Sequence, residues 1–183
     1  MVKIRSLLDQ LPAPGESARW YAYRTGFKRE KIARKRLAAR GFEVYLPLRL
    51  VVKRYRSKTT TAELPLFSNY LFVRTTAADY AKILADPDVF EIVQFNGEVG
   101  RVAEDEIALL KAILGSDREA FDARVHEGLV AGDPVVVTGG TLAGTRGYVL
   151  ADRENSTFLV ELRALGVGLE INVDARYLAR DTK

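Results

Sequence analysis

The residues able to do covalent chemistry are few in this sequence. Among 183 residues there is one His and no Cys. Without Cys there is no thiol nucleophile, no disulfide framework and no thiolate metal site. The lone His126 argues against a histidine-rich metal site or a Ser-His-Asp triad, and it reads as a solvated linker residue. Asp86, Asp88 and Glu91 are the carboxylates that acid-base or metal chemistry would use, which keeps a nuclease-like enzyme in view. Flanking Pro87, the two aspartates read better as a turn. Gly139 to Thr145 mimics a phosphate-binding loop but has Thr145 where that loop needs Lys, and Gly166-Val167-Gly168 lacks the third glycine of a dinucleotide fingerprint. No catalytic constellation survives, and no cofactor or metal is expected. What remains is recognition chemistry: clustered cations and clustered aromatics.

The cations are unevenly placed. From Arg24 to Lys58 there are 13 Lys and Arg against Glu30 and Glu43, a surplus of 11 positive charges. From Thr75 to Asp133 there are 5 basic and 13 acidic residues. Such a block fits a polyanionic partner such as nucleic acid, or it is a solvated helix face followed by a hairpin. No run approaches the 18 apolar residues of a membrane span. Leu7-Leu8 is too short for a signal sequence, so a cytoplasmic protein with no membrane partner is expected.

The elements that must carry these residues can be read from spacing. Residues 1–18, ending in Leu11-Pro12-Ala13-Pro14-Gly15, are expected to be a flexible lead-in. Arg19 to Arg24 alternates as a strand, with Trp20 and Ala22 on one face and Tyr21 and Tyr23 on the other. Residues 28–40 form a basic helix with Ile32, Ala33 and Leu37 as its apolar stripe, ended by Gly41. Strands follow at Phe42 to Leu46 and Leu48 to Tyr55, with Arg56 to Thr61 as a hairpin tip. The aromatic run Pro65 to Arg74 holds a central strand from Asn69, with Tyr70 and Phe72 on one face and Leu71 and Val73 on the other. A short helix at Ala77 to Ala85 stops at Asp86-Pro87-Asp88. A strand spans Val89 to Phe95, turns at Asn96-Gly97 and returns at Val99 to Val102. Ala103 to Leu114 is a helix with Ile107, Leu110 and Leu114 on one stripe. Beyond it come four or five short β-branched runs separated by glycine turns, the pattern of a small barrel. The fold class is therefore α+β, an antiparallel sheet flanked by helices over residues 19–115, then a linker at 116–128 and a small all-β domain at 129–183.

Three passages together resemble the NusG family of transcription elongation factors. They are Trp20-Tyr21-Ala22-Tyr23-Arg24-Thr25 leading to Glu30-Lys31; Pro65-Leu66-Phe67-Ser68-Asn69-Tyr70-Leu71-Phe72-Val73, similar to the family's PLFPGYVFV; and Gly132-Asp133-Pro134-Val135-Val136-Val137 through Gly144-Thr145-Arg146-Gly147-Tyr148-Val149, similar to a KOW motif. The resemblance covers roughly residues 19–180. It implies an N-terminal NGN domain and a C-terminal SH3-like KOW barrel. "LFSNYLFVR" and Val93-Gln94-Phe95-Asn96-Gly97 look more like the specialised antiterminators, the RfaH, UpxY and LoaP type.

The resemblance implies a bacterial, monomeric, non-enzymatic factor that binds RNA polymerase and reduces pausing or termination. Phe67, Tyr70 and Phe72 match the aromatics that meet the clamp helices of the largest subunit. Asp86 and Pro87 fall where the family reaches the second-largest subunit, by position alone. Arg24, Lys28, Arg29, Lys31 and Arg34 match the surface that reads the non-template DNA strand, where Tyr21 or Tyr23 could stack on bases. Leu165 and Gly166 fall in the KOW loop that contacts a ribosomal protein or a termination factor. The aromatic and arginine of that loop are absent here. The KOW domain is expected to stay a barrel because of its glycines. The alternative is a KOW-type RNA-binding or ribosome-associated protein whose basic helix grips structured RNA.

Overall fold

Aromatic and β-branched residues alternate through Arg19–Thr25 and Tyr70–Thr75, and these two stretches become the centre of a sheet. The computed structural model describes residues 7–54, 58–95, 97–115, 132–150, 157–162, 167–173 and 177–181. The chain divides into two units, Met1–Glu104 and Asp105–Lys183.

In the first unit, β1 (Arg19–Thr25) lies between β5 (Tyr70–Thr75) on one edge and β6 (Val89–Ile92) and β9 (Arg101–Val102) on the other, all antiparallel. β2 (Glu43–Tyr45) extends the sheet beyond β5. Because side chains alternate across a sheet, Tyr21, Tyr23, Leu71 and Val73 share one face. Helix α1 (Glu30–Ala39) buries Ala33 and Leu37 into that face, and α2 (Ala77–Leu84) buries Ile83 there. Truncating any of these to Ala would cost about 2–5 kcal/mol where the side chain is large. Gly41 ends α1 with φ +87, the left-handed conformation that glycine adopts without strain. Ile32, expected in the apolar stripe, is 41% exposed, and Glu30 is the buried residue instead.

Three further expectations are corrected. The lead-in is held in place from Leu7 on: Leu7 and Leu11, one helical turn apart, are buried in the core. The Gln10 amide accepts from the Val99 N–H at 2.7 Å, and Pro12 O accepts from the Ala77 N–H at 2.9 Å. The apolar pair thus outweighs the prolines. The strand expected from Leu48 to Tyr55 is β3 (Leu48–Arg54), and it pairs with β4 (Thr59–Pro65) in a two-stranded ladder, so Thr59, Thr60 and Thr61, expected in the hairpin tip, are strand residues. The run Val89 to Phe95 breaks after Ile92. β7 (Gln94–Phe95) and β8 (Glu98–Val99) form a hairpin at Gly97, φ +86, and β9 then turns back to pair with Trp20 and Tyr21.

Helix α3 (Glu104–Gly115) buries Ile107 and Leu110. In the second unit β10 (Pro134–Val137), β11 (Arg146–Leu150), β12 (Thr157–Leu162), β13 (Val167–Asn172) and β14 (Leu178–Arg180) form an antiparallel sheet in the order β13-β12-β11-β10-β14. Its core gathers Val135, Val137, Leu142, Val149, Ile171, Val173 and Leu178, with Leu109, Ala112 and Ile113 of α3 packed against it. His126, the 116–128 linker and the Leu165-Gly166 loop lie outside the described residues.

Candidate functional site

The face of the first sheet opposite α1 and α2 carries the aromatic strand. Phe72 is directly opposite Ala22 of β1 and Tyr45 of β2. Its ring is 1% exposed. Tyr45 stacks on it at 6.3 Å between centroids, and Phe67 meets it edge-on at 6.2 Å. Burial pushes the Tyr45 phenol up to about 12, so it stays a neutral donor. Phe67, Tyr70 and Tyr45 are half-buried. Phe72 is therefore a floor, and the residues around it are the reachable aromatics. Such a cluster offers large contact area with little rotamer entropy to lose. Tyr45 was missed from sequence because β2 is too short for a pattern.

The start of this strand is fixed by an unusual pin. Asn69 has φ +68, where Asn is among the few non-glycine residues that fit. The PLFPGYVFV pattern has Gly at this place. Asn69 donates its backbone N–H to Glu30 Oε1 at 2.7 Å, and its carbonyl accepts from Thr25 N–H at 2.7 Å. The Glu30 carboxylate is buried, so the first turn of α1 sets where Tyr70 begins.

Asp86 and Pro87 separate in role. Asp86 is buried, and Arg36 donates to both its oxygens at 2.7 and 2.6 Å and to Asp88 at 2.5 Å. Those hydrogen bonds hold the Asp86 carboxyl below the usual carboxylate range, against the opposing push of burial. Asp88 N–H donates to Asp86 Oδ1, closing the turn read from the sequence. Pro87 is exposed. Among the described residues no cluster of His, Asp and Glu could hold a metal ion.

The five basic residues singled out are all exposed, Arg24 in β1, Lys28 and Arg29 in the turn before α1, and Lys31 and Arg34 on α1. Arg24 pairs with Glu91 at 3.0 Å, Arg29 lies 3.8 Å from Asp88, and Lys31 donates to Glu63 O at 2.9 Å. Exposed pairs of this kind are worth about 0–1 kcal/mol and yield readily to a phosphate. Lys28 and Arg34 have no carboxylate partner among the described residues. Tyr21 and Tyr23 cannot stack on a base. They are 2% and 0% exposed, inside the core, and burial raises both phenols. The exposed aromatics beside these cations are Phe27 and Phe90, which the sequence reading passed over.

A family model described as NusG, transcription termination factor nusG, matches residues 18–111, half of the chain. The chain belongs to the NusG family. The matched span runs from the residue before β1 into α3 and so contains the whole aromatic strand and its pin. The structure is similar to that titled "Domain interaction in Thermotoga maritima NusG", at 19% identity and TM-score 0.57, over 88% of this chain and 96% of that one. That likeness is one of fold. A second solved structure, titled "Crystal Structure of MjSpt4:Spt5 complex conformation B", matches over 90% of this chain and 97% of that one at 21% identity, with a TM-score of 0.32. No curated protein matches the chain.

Proposed function

We propose that this NusG-family chain is an elongation and antitermination factor of the specialised RfaH, UpxY or LoaP type. It binds RNA polymerase without a cofactor, in the cytoplasm and as a monomer. The reading rests on one observation above all: Phe67, Tyr70 and Tyr45 stand half-buried around the Phe72 ring on the sheet face opposite α1 and α2. An aromatic rosette of this kind suits the clamp helices of the largest subunit. Pro87, presented on a turn that Asp86 locks from inside, is the exposed residue placed to reach the second-largest subunit. Arg24, Lys28, Arg29, Lys31 and Arg34 face the non-template strand. The five-stranded second unit is a KOW barrel, with Leu165 and Gly166 in the loop that would take a ribosomal protein.

The test is a pull-down of bacterial core RNA polymerase by the full chain and by Tyr70→Ala. Tyr70 is only half-buried, so the variant should keep its fold, checked by the emission of Trp20. A loss of about tenfold or more, ~1.4 kcal/mol, is expected. Retention by wild type and variant alike would move the contact off the aromatic strand. Failure of both to bind would leave the basic helix as an RNA grip.

A further inference from the structure

We propose that Glu30, Thr25 and Asn69 hold a monovalent alkali cation at the root of the aromatic strand. The site goes beyond the polymerase reading and does not depend on it.

Glu30 is a buried charge without an opposite charge. It is 4% exposed, and among the described residues no Lys or Arg pairs with it. Its carboxylate accepts one hydrogen bond, from the Asn69 N–H to Oε1 at 2.7 Å. Buried charges are ordinarily paired or bound to a metal. The cations that flank Glu30 in sequence are engaged elsewhere. Lys28 lies over the Phe27 ring at 4.9 Å, Arg29 is 3.8 Å from Asp88, and Lys31 reaches Glu63. Arg24, next to Thr25, pairs with Glu91. Glu30 is the first residue of α1, whose dipole offsets about half a charge. The remainder stays negative inside the fold.

Two unpartnered oxygens stand beside it. Among the described residues three buried side-chain oxygens have no hydrogen-bond partner: Thr25 Oγ1, Asn69 Oδ1 and Tyr23 Oη. The first two belong to residues tied to each other and to Glu30. Thr25 N–H donates to Asn69 O at 2.7 Å, and Asn69 N–H donates to Glu30. Thr25 is 3% exposed, and an oxygen buried that far destabilises the fold unless something satisfies it.

The donor set defines the ion. A carboxylate, an amide oxygen and a hydroxyl are hard ligands, suited to alkali and alkaline-earth ions and not to copper or zinc. Calcium wants about six to eight oxygens, and a single carboxylate balances one positive charge. With Glu30 as its only carboxylate, the site is not a cluster of His, Asp and Glu. A bridging water would donate to the two oxygens and leave the charge unbalanced. Asn69 is half-buried, which gives an ion a way in from solvent. An ion there would fix Asn69, and with it the point at which Tyr70 begins.

The experiment unfolds the full chain in urea, followed by the emission of Trp20, in NaCl, KCl and choline chloride at matched ionic strength. Choline is too bulky for a buried site among three side chains. Sodium or potassium should raise the midpoint over choline by about 0.5 M. Thr25→Val keeps the shape and removes one ligand. It should abolish the difference between salts and lower the midpoint in the favoured salt. A hydroxyl with nothing bound predicts the opposite sign, because a methyl in its place removes a buried unpaired group. Thr25→Ser keeps the hydroxyl and should keep the response to salt. Asn69→Gly keeps the left-handed backbone and should lose that response. The NMR line width of sodium reads binding without unfolding: wild type should broaden it more than Thr25→Val does. The inference is overturned if wild-type midpoints agree in all three salts, if Thr25→Val retains the salt difference, or if it raises the midpoint in every salt. A Thr25→Val loss equal in all three salts would overturn it too, and would assign a bridging water to the site.

Discussion

Replacing Glu30 by Ala removes the acceptor for the Asn69 N–H and should loosen the start of the aromatic strand. The contact is short, 2.7 Å, and the carboxylate is 4% exposed. A hydrogen bond to a charged group contributes about 1.5–3 kcal/mol, and an orphaned buried donor loses its solvation as well. Against this, burying a carboxylate costs free energy that the variant recovers. The hydrogen bond should win, because the N–H it satisfies belongs to a residue already held at φ +68. A net loss of about 2 kcal/mol follows. Urea unfolding of the full chain, followed by the emission of Trp20, measures it. Trp20 is the one Trp in the sequence and lies in β1. With a urea slope of about 1–3 kcal/mol/M, the midpoint should fall by about 1 M. Glu30→Gln keeps an amide oxygen at the same reach and should lose less than half as much. A Glu30→Ala midpoint within error of wild type, or a Glu30→Gln loss as large as that of Ala, would refute the pin.

Other outcomes follow from the same geometry. Asn69→Gly should be close to neutral, whereas Asn69→Val should lose about 1–2 kcal/mol by urea unfolding, since only small or Asn-like residues fit φ +68. Leu11→Ala should cost about 2–5 kcal/mol if the lead-in is core, measured the same way; a free tail would cost nothing. Gly139→Ala would place a Cβ 2.5 Å from Tyr177 Cδ1, and the shift should speed amide exchange at Thr138, whose N–H donates to Tyr177 O. Asp86 titrates below its ordinary value because of Arg36, so its stabilising contribution is complete above the normal carboxylate range and is lost as pH falls through the lowered value. Acid titration followed by Trp20 emission should therefore show a steeper loss of stability in wild type than in Arg36→Met.

Alternation and turn chemistry carried most of the legible fold. The two faces of β1 and β5 were assigned residue by residue, because period-two spacing depends only on neighbours. Gly41 and Gly97 were legible for the same local reason. What escaped was long-range. Arg36 reads as one more cation on a basic helix until folding sets it against an aspartate 50 residues away. Glu30 reads as a good helix former, yet it is buried because Asn69 comes to it. Leu7 and Leu11 look like a remnant beside two prolines until Val99 and Ala77 give their segment hydrogen-bond partners. For the candidate site, Phe67 and Tyr70 were legible by motif, and Tyr45 was not. Base stacking was assigned to tyrosines on a strand that turned out to be central, where both residues are core. The exposed Phe27 and Phe90 belong to a corner that no periodicity describes.

The division of labour among the cations of β1 and α1 has a consequence for how relatives of this chain should differ. Arg36 is answerable to Asp86 and Asp88, Arg24 to Glu91 and Lys31 to Glu63. Substitution of Arg36 should be inherited in step with Asp86, whose buried carboxylate a change at Arg36 alone would strand, whereas the exposed pairs of Arg24 and Lys31 constrain their positions only weakly. Lys28, Arg34 and Lys35 answer to no carboxylate among the described residues. They are free to drift with whatever polyanion a given lineage recognises, so two descendants could share every paired cation and differ at each unpaired one.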